Sequence, residues 1–185
     1  LLKAASLQIA SGIQNYITQT VQHKQTLIDR ELQLARQIQK TFLPDKLPKL
    51  PGYDVAAEWQ TARQVGGDFY DVFELTPGRF GLIIADVSDK GLAASLYMTV
   101  SRTLIRARAL ENESPAVTLE KVNHILQLDS SDGFFVTVFY AIVELNSGKV
   151  TYCIAGHNPP YWLRREHGEV QPLNKGGIAL GMMDP

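Results

Sequence analysis

The first forty or so residues carry a helical pattern of apolar positions. They contain one glycine, and the first proline is Pro44. Apolar side chains recur at spacings of three and four, with a polar break midway; this apolar seam consists of Ala10, Ile13, Ile17, Leu27, Leu34 and Ile38. The spacing predicts one long helix over residues 1–43. The helix should end at the prolines that follow, because proline cannot continue a helix.

Two interpretations of this helix remain open from its pattern. It is either a surface helix packed on its own domain, or a coiled coil that dimerises and links an upstream module to a downstream one. In the second interpretation the polar break, between Thr18 and Thr26, makes the pairing easy to shift.

The rest of the chain alternates between strand and helix patterns. Runs of apolar and aromatic residues between turn residues predict strands at Tyr53–Ala62, Phe69–Leu75, Phe80–Val87, Phe134–Glu144, Lys149–Ala155, Pro159–Arg165 and Glu169–Leu173. Helical spacing predicts helices at Gly91–Leu110 and Pro115–Leu128. The first of these would bury an apolar stripe made of Ala93, Leu96, Val100, Leu104 and Ala107. Short turns between strands favour a mixed α/β (α+β) class with a largely antiparallel sheet.

Composition narrows the class of protein. The chain has 185 residues, a net charge of −1 and a single cysteine, Cys153. A near-neutral balance argues against a nucleic-acid binder with a dominant basic face. One cysteine excludes an internal disulfide framework and a cysteine-cluster metal site, and it suits a reducing, cytoplasmic location.

Two acidic residues interrupt otherwise apolar strands. Asp68 follows two glycines, and Asp86 follows four apolar residues. Burying a lone carboxylate costs several kcal/mol unless something pairs with it, so a cation or another partner is expected. For Asp86 a helix N-cap is the alternative, because the next predicted helix begins close by. Ser88 or Asp89 could fill that role equally well.

If the strands of Asp68 and Asp86 are hairpin neighbours, both carboxylates reach one edge of the sheet. Carboxylates without nearby His or Cys favour hard cations such as Mg²⁺ or Mn²⁺, which suit phosphoryl chemistry. Other polar residues are expected to be solvated. Asp71 should face solvent at a strand end, Arg63 should be exposed although arginine suits phosphate, and a solvated helix face should carry Arg102 and Arg106.

Four motifs in order along the chain resemble those of one family. They are Gly66-Gly67-Asp68-Phe69-Tyr70-Asp71, then Ala85-Asp86-Val87-Ser88-Asp89-Lys90-Gly91, then Phe135-Val136-Thr137-Val138-Phe139-Tyr140, then Ala155-Gly156-His157-Asn158-Pro159-Pro160. Together they closely resemble the SpoIIE/RsbU-like branch of the metal-dependent serine/threonine protein phosphatases, which have the type 2C fold. The resemblance extends from about Leu32 to the end of the chain.

The resemblance implies an α-β-β-α sandwich of two antiparallel sheets, with two Mn²⁺ or Mg²⁺ ions at one end. Asp68 matches a metal ligand, Asp86 matches the aspartate that bridges both metals, and Val87 matches a position whose backbone carbonyl is a ligand. The implied reaction is the hydrolysis of phosphoserine or phosphothreonine by in-line attack of metal-bound hydroxide. The implied substrate is a phosphorylated STAS-domain anti-sigma-factor antagonist in a bacterial signalling pathway.

The predicted organisation is a helical linker over residues 1–43, pairing into a homodimer, and a phosphatase domain over residues 44–185. The start of the helix also resembles the closing helix of a GAF-type sensor, and that resemblance implies a sensor upstream of the linker. The family has further metal-binding aspartates in a later Thr-Asp-Gly segment, which this sequence lacks; Asp184 does not match it. With Asp68 and Asp86 alone, weak metal binding and little activity are expected. The alternative function is a non-catalytic dimeric docking module of the same fold. His157 is expected to serve mainly in a turn.

Overall fold

The N-terminal part of the chain, less than a quarter of its length, is one helix, α1 (Leu2–Phe42), as its spacing predicts. The apolar seam from Ile13 to Ile38 is largely exposed, so it does not pack along its own domain. The helix joins the body of the protein in its second half: Gln64 donates to the Asp29 carboxylate at 3.4 Å, and then Gln39 and Leu43 become buried. The computed structural model describes residues 2–61, 63–129, 133–164 and 168–183.

In the described residues, the body of the protein contains a five-stranded sheet, a two-stranded sheet and two helices. In chain order the elements are β1 (Phe69–Thr76), β2 (Arg79–Val87), α2 (Leu92–Ala109), α3 (Pro115–Asp129), β3 (Val136–Glu144), β4 (Lys149–Ala155), β5 (Tyr161–Arg164), β6 (Glu169–Pro172) and β7 (Gly176–Gly177). The large sheet has the order β1-β2-β3-β4-β7, antiparallel except where β7 runs parallel to β4. The hairpin β5-β6 forms the small sheet. The mixed α/β class is confirmed.

The strand register decides which side chains share a face. In the β1-β2 hairpin Phe69 lies opposite Ala85, and in the β2-β3 pair Asp86 lies opposite Thr137. Because side chains alternate along a strand, Phe69 and Ala85 point to the buried face, whereas Asp86 and Thr137 point to the other. The ends of the strands that carry these residues form one edge of the sheet.

The main core lies between the large sheet and the helices α2 and α3. Fully buried members include Phe69 and Val87 from the sheet and Met98 from α2. The prediction for the stripe of α2 is wrong: Leu96 and Val100 are exposed. The residues that α2 buries are Ala94, Ser95, Met98, Ser101, Ile105 and Ala109. Small and flexible side chains let this helix approach the sheet closely, and that face also directs its arginines to a buried carboxylate described below.

The opposite face of the sheet has a smaller cluster, in which Leu50 packs on Val72 and Phe80. The strand predicted at Tyr53–Ala62 is wrong for the described part of that segment, because residues 54–61 form no strand. Only an isolated bridge joins Leu50 to Tyr53. The segment is attached through side chains instead, since the Trp59 indole N–H donates to the backbone carbonyl of Asp68 at 2.9 Å.

The other predicted helices and strands are confirmed to within two residues at each described end, and β7 was not predicted. Predictions for Ala62, Arg165, His167 and Asp184 concern residues outside the described ranges. None of the helices in those ranges has an apolar stretch long enough to cross a bilayer.

Candidate functional site

Two carboxylates meet at the edge of the sheet where β1 begins and β2 ends. Asp68 immediately precedes β1, Asp86 is the penultimate residue of β2, and the hairpin register places the two positions opposite each other. Both side chains lie on the face away from α2 and α3. This carboxylate pair, Asp68 and Asp86, is the juxtaposition that the sequence predicts from a hairpin.

The negative charges of the carboxylate pair are not fully compensated by nearby positive groups. The pKa of Asp86 is raised to about 6, first by desolvation, then by the negative charge of Asp68 and by a hydrogen bond with its side chain. Lys90 opposes this shift without cancelling it. A raised carboxyl pKa means that the folded protein disfavours two negative charges here. A bound cation would remove that penalty.

A backbone carbonyl stands beside the carboxylate pair because Gly67 has no side chain. A Cβ at Gly67 would lie 3.0 Å from the carbonyl oxygen of Val87, closer than nearly all real contacts. The polar backbone groups of Val136, opposite Val87, bond to Leu180 and therefore point away from β2. The backbone groups of Val87 consequently point toward Gly67. Two carboxylates and a carbonyl are a donor set that suits a hard cation.

Among the described residues there is no group of three or more acidic, histidine or cysteine side chains that could hold a metal ion. The local donors are therefore the carboxylate pair and the carbonyl of Val87. They fit a hard divalent cation in donor type and in charge, and they leave its remaining positions to water or substrate.

The turn after β2 is held by hydrogen bonds that involve its backbone N–H and carbonyl groups. Ser88 donates its N–H to the carbonyl of Phe135, and its hydroxyl accepts the N–H of Phe135. Asp89 has a φ of 70° and accepts the N–H of Lys90. The N-cap of α2 is Gly91, with no side-chain capping bond. Capping by Asp86, Ser88 or Asp89 is therefore not observed, so Asp86 is available for other contacts.

Basic side chains border the cleft at the carboxylate pair. The cleft, of about 400 Å³, includes Arg63, Lys90 and Thr137 in its lining. Arg63 is exposed, as the sequence predicts, and its guanidinium reaches the start of α2 near Gly91. Positive groups on the rim and acidic groups on the floor are suited to a phosphate held beside a cation.

Sequence reasoning underestimated Thr137 and His157. The Thr137 hydroxyl donates to the backbone carbonyl of Asp86 at 3.2 Å and lies 2.9 Å from Nδ1 of His157. Burial lowers the pKa of His157 below its usual value, although the charge of Asp68 opposes the shift. The sequence signal was present in two of the four motifs, but sequence alone does not show that they meet. The β2-β3 register places Thr137 opposite Asp86, and an isolated bridge joins Val138 to Gly156, next to His157.

The long helix contacts the loop before the carboxylate pair. The side-chain amide of Gln39, which is almost fully buried, donates to the carbonyl of Gly66 and accepts the N–H of Gly66 at 3.2 Å. It also contacts the sulfur of Met98 on α2. One amide thus joins α1 to the glycines that precede Asp68.

The solvent-facing prediction for Asp71 is wrong. Its carboxylate is fully buried, 2.7 Å from Nη2 of Arg102 and 2.8–2.9 Å from Nη1 of Arg106. Arg106 also lies over the ring of Phe73. These three charged residues form an ion triad that ties β1 to α2, so neither arginine is simply solvated. The sequence signal was the alternation of β1, which puts Asp71 on the same face as Phe69 and Phe73.

Comparison with known proteins identifies the family. The family model described as Stage II sporulation protein E (SpoIIE) matches residues 76–185, more than half of the chain. The chain belongs to the SpoIIE family. The resemblance to SpoIIE/RsbU-like phosphatases that the motifs indicate is confirmed.

Two curated relatives of this SpoIIE-family chain show how much of a longer protein it covers. Protein IcfG of Synechocystis sp. is 31% identical over 180 residues, which cover 83% of this chain and 28% of IcfG. Phosphoserine phosphatase RsbU of Bacillus subtilis is 27% identical over 176 residues, which cover 95% of this chain and 52% of RsbU. The chain thus spans about half or less of the length of these relatives.

Solved structures support the fold. The SiaA-PP2C domain of Pseudomonas aeruginosa aligns with a TM-score of 0.71 and 21% identity, covering 86% of this chain and 65% of that one. The RsbU and RsbW domains of Rv1364c from Mycobacterium tuberculosis align with a TM-score of 0.56 and 29% identity, covering 69% and 34%. The SpoIIE-family chain therefore has a PP2C-like fold.

Proposed function

We propose that the protein is a divalent-metal-dependent phosphatase for phosphoserine or phosphothreonine in proteins, acting in a bacterial signalling pathway. The observation that carries the proposal is the carboxylate pair, two acidic side chains that repel each other at the floor of a cleft with basic groups on its rim. The relative named phosphoserine phosphatase RsbU supports the reaction class.

The carboxylate pair and the carbonyl of Val87 would hold Mn²⁺ or Mg²⁺, two ions in the full site. When bound, such ions neutralise phosphate oxygens and make water more acidic. The chain's own residues then have separate tasks. Arg63 and Lys90 bind and orient phosphate oxygens at the rim. Asp86, the penultimate residue of β2, lies beside Asp68 and anchors the carboxylate pair to a strand that is paired on both sides.

The proposed substrate is a phosphorylated STAS-domain protein. The support is the RsbU name among relatives and the RsbU and RsbW domains that occur together in one similar solved chain. We propose a cytoplasmic setting for this encounter, which matches the single cysteine of the chain.

The proposed role of α1 is that of a linker between a sensor domain, of GAF type, and the phosphatase domain of residues 44–185. A second copy of the chain is the proposed partner of its apolar seam. The support is the exposure of the seam from Ile13 to Ile38, which leaves an apolar stripe in water.

A specific observation favours a second candidate, a non-catalytic docking module of the same fold. Among the described residues, no group of three or more acidic, histidine or cysteine side chains could hold a metal ion at this site. In that case the cleft would bind a phosphoprotein or another partner without hydrolysing it.

Phosphate release from a phosphorylated STAS-domain protein tests the two candidates. The assay uses the longest natural polypeptide that contains this sequence, with Mn²⁺, Mg²⁺ or a chelator. We expect metal-dependent release that Asp86→Asn abolishes, whereas Asp54→Asn, at an exposed position, leaves it unchanged. Full activity of Asp86→Asn would refute the proposed site. Binding of the phosphoprotein without any release would favour the docking module.

A further inference from the structure

The motifs around Thr137 and His157 have no task in the proposed function beyond bordering its site. Their side chains nevertheless contact each other, and through Thr137 they contact the main chain of Asp86. The inference that follows rests on the proposed function, because it concerns how the carboxylate pair is held in place.

The two contacts of the Thr137 hydroxyl share one proton. The carbonyl of Asp86 can only accept, and Thr137 Oγ1 donates to it at 3.2 Å. The 2.9 Å contact with His157 Nδ1 is then attractive only if Nδ1 carries a proton and donates it. In a neutral imidazole the other nitrogen, Nε2, is left as an acceptor.

The backbone around His157 is held closely. Gly156 has a φ of 66°, which favours glycine, and a Cβ there would lie 2.6 Å from the backbone nitrogen of Ala179. Its own N–H donates to the carbonyl of Gly177 at 2.8 Å. A ring carried by such a constrained turn has little freedom to leave Thr137. The turn therefore acts as a rigid support for the contact.

We infer that Thr137 and His157 are a positioning pair for the site: His157 Nδ1–H holds the Thr137 hydroxyl, which holds the Asp86 carbonyl and with it the carboxylate pair. Neither residue needs to touch substrate for this role. The arrangement resembles in principle the outer partners of metal ligands, whose loss lowers metal affinity by about 10–100-fold.

The pair explains how an unfavourable charge arrangement keeps its geometry. Two carboxylates that repel each other would turn apart unless their backbone is fixed. On the β1 side, Gly67 packs against Val87. On the β3 side, the hydroxyl of Thr137 adds a side-chain bond at Asp86 itself. The end of β2 is thereby held from both neighbouring strands.

The first test needs no variant. Nitrogen-15 NMR of the histidine rings in the intact chain distinguishes the two neutral tautomers. We expect His157 in the Nδ1–H form, and the Nε2–H form would overturn the inference. Thr137→Val, which keeps the shape and removes the hydroxyl, should shift the carbonyl carbon signal of Asp86, whereas Thr137→Ser should not.

The second test measures Mn²⁺ affinity by titration calorimetry. We expect Thr137→Val and His157→Leu to bind Mn²⁺ about tenfold more weakly than the unaltered chain, or weaker still. Thr137→Ser keeps the hydroxyl, and the amide of His157→Asn can donate in place of Nδ1, so these two variants should bind Mn²⁺ with near-normal affinity. Equal affinity in all four variants would overturn the positioning role. If the unaltered chain binds no Mn²⁺, the proposed function fails, whereas the tautomer and the Asp86 carbonyl signal still decide whether the pair exists.

Discussion

Two acidic sites occupy opposite faces of the same hairpin, only a few residues apart. On the helix-covered face, Asp71 is fully buried and has two arginines within 3 Å. On the other face, Asp68 and Asp86 lie against each other at the floor of an open cleft, where Lys90 opposes the raised pKa of Asp86 without cancelling it. One site is compensated by the protein, and the other is left for something else to compensate.

Whether the protein itself compensates a carboxylate distinguishes a structural acidic residue from a functional one better than burial or residue type does. A buried carboxylate with well-placed arginines is a connection between elements, here between β1 and α2. A pair of carboxylates without compensation destabilises the chain that carries it. Such a cost is expected where a ligand is to be bound, so the imbalance itself marks the functional face.

The largest expected effect is at the ion triad. Asp71→Asn removes the only negative charge of the triad and leaves Arg102, whose side chain is 15% exposed, without its partner. Breaking a buried pair in this way costs about 3–5 kcal/mol. Urea denaturation should show this loss in the free energy of unfolding.

Asp54→Asn is the matched control for that measurement, because Asp54 is exposed. It should change stability by no more than about 0.5 kcal/mol. Truncating Arg106, which is 39% exposed, should cost less than truncating Arg102. A loss for Asp71→Asn no larger than for Asp54→Asn would break the comparison, since the triad would then contribute nothing.

The next largest effect is a stabilisation of the fold through the carboxylate pair, and it should appear only when metal is present. A ligand that binds the folded state at about 100 times its Kd stabilises it by about 2.7 kcal/mol. Mn²⁺ at such a concentration should raise the free energy of unfolding of the chain by this amount and should not stabilise Asp86→Asn. Equal stabilisation of both proteins would place the metal elsewhere.

Replacing the uncharged side chain of Gln39 should lower the free energy of unfolding by a smaller amount. Gln39→Leu keeps the size of the side chain and removes both of its hydrogen bonds to Gly66. Leaving these partly buried backbone groups of Gly66 without partners should cost about 1–3 kcal/mol in thermal or urea unfolding. Gln37→Leu is the control, because Gln37 is exposed on the same helix. If both variants unfold alike, Gln39 does not join α1 to the loop before Asp68.

The hairpin and the carboxylate pair were predictable from sequence because both depend on local patterns. Apolar runs on either side of Pro77-Gly78 fix the turn, and the positions of Asp68 and Asp86 relative to that turn put them at one edge. Resemblance to a known family added the assignment of Val87, whose side chain says nothing about its carbonyl.

The parts that sequence did not predict depend on tertiary contacts. The apolar stripe of α2 predicts that Leu96 and Val100 lie in the core. Instead the helix buries the face that carries Met98 and several small residues, and this orientation lets Arg102 contact Asp71. The segment after Tyr53 has strand-forming residues and yet forms no strand over 54–61; instead the Trp59 indole bonds to the carbonyl of Asp68, just before β1. Neither outcome follows from periodicity alone.

The smallest expected effect completes the comparison between the two acidic sites. Without metal and at pH 7.5, Asp86→Asn should leave the free energy of unfolding unchanged within about 0.5 kcal/mol, or raise it slightly. The pKa of Asp86 in the folded chain is about 6, above its ordinary value of 3.8, so above pH 6 its ionised form destabilises the fold. The amide removes that charge. A loss as large as that of Asp71→Asn, measured by the same urea titration, would mean that Asp86 is compensated by the protein after all, and the contrast between the two faces of the hairpin would disappear.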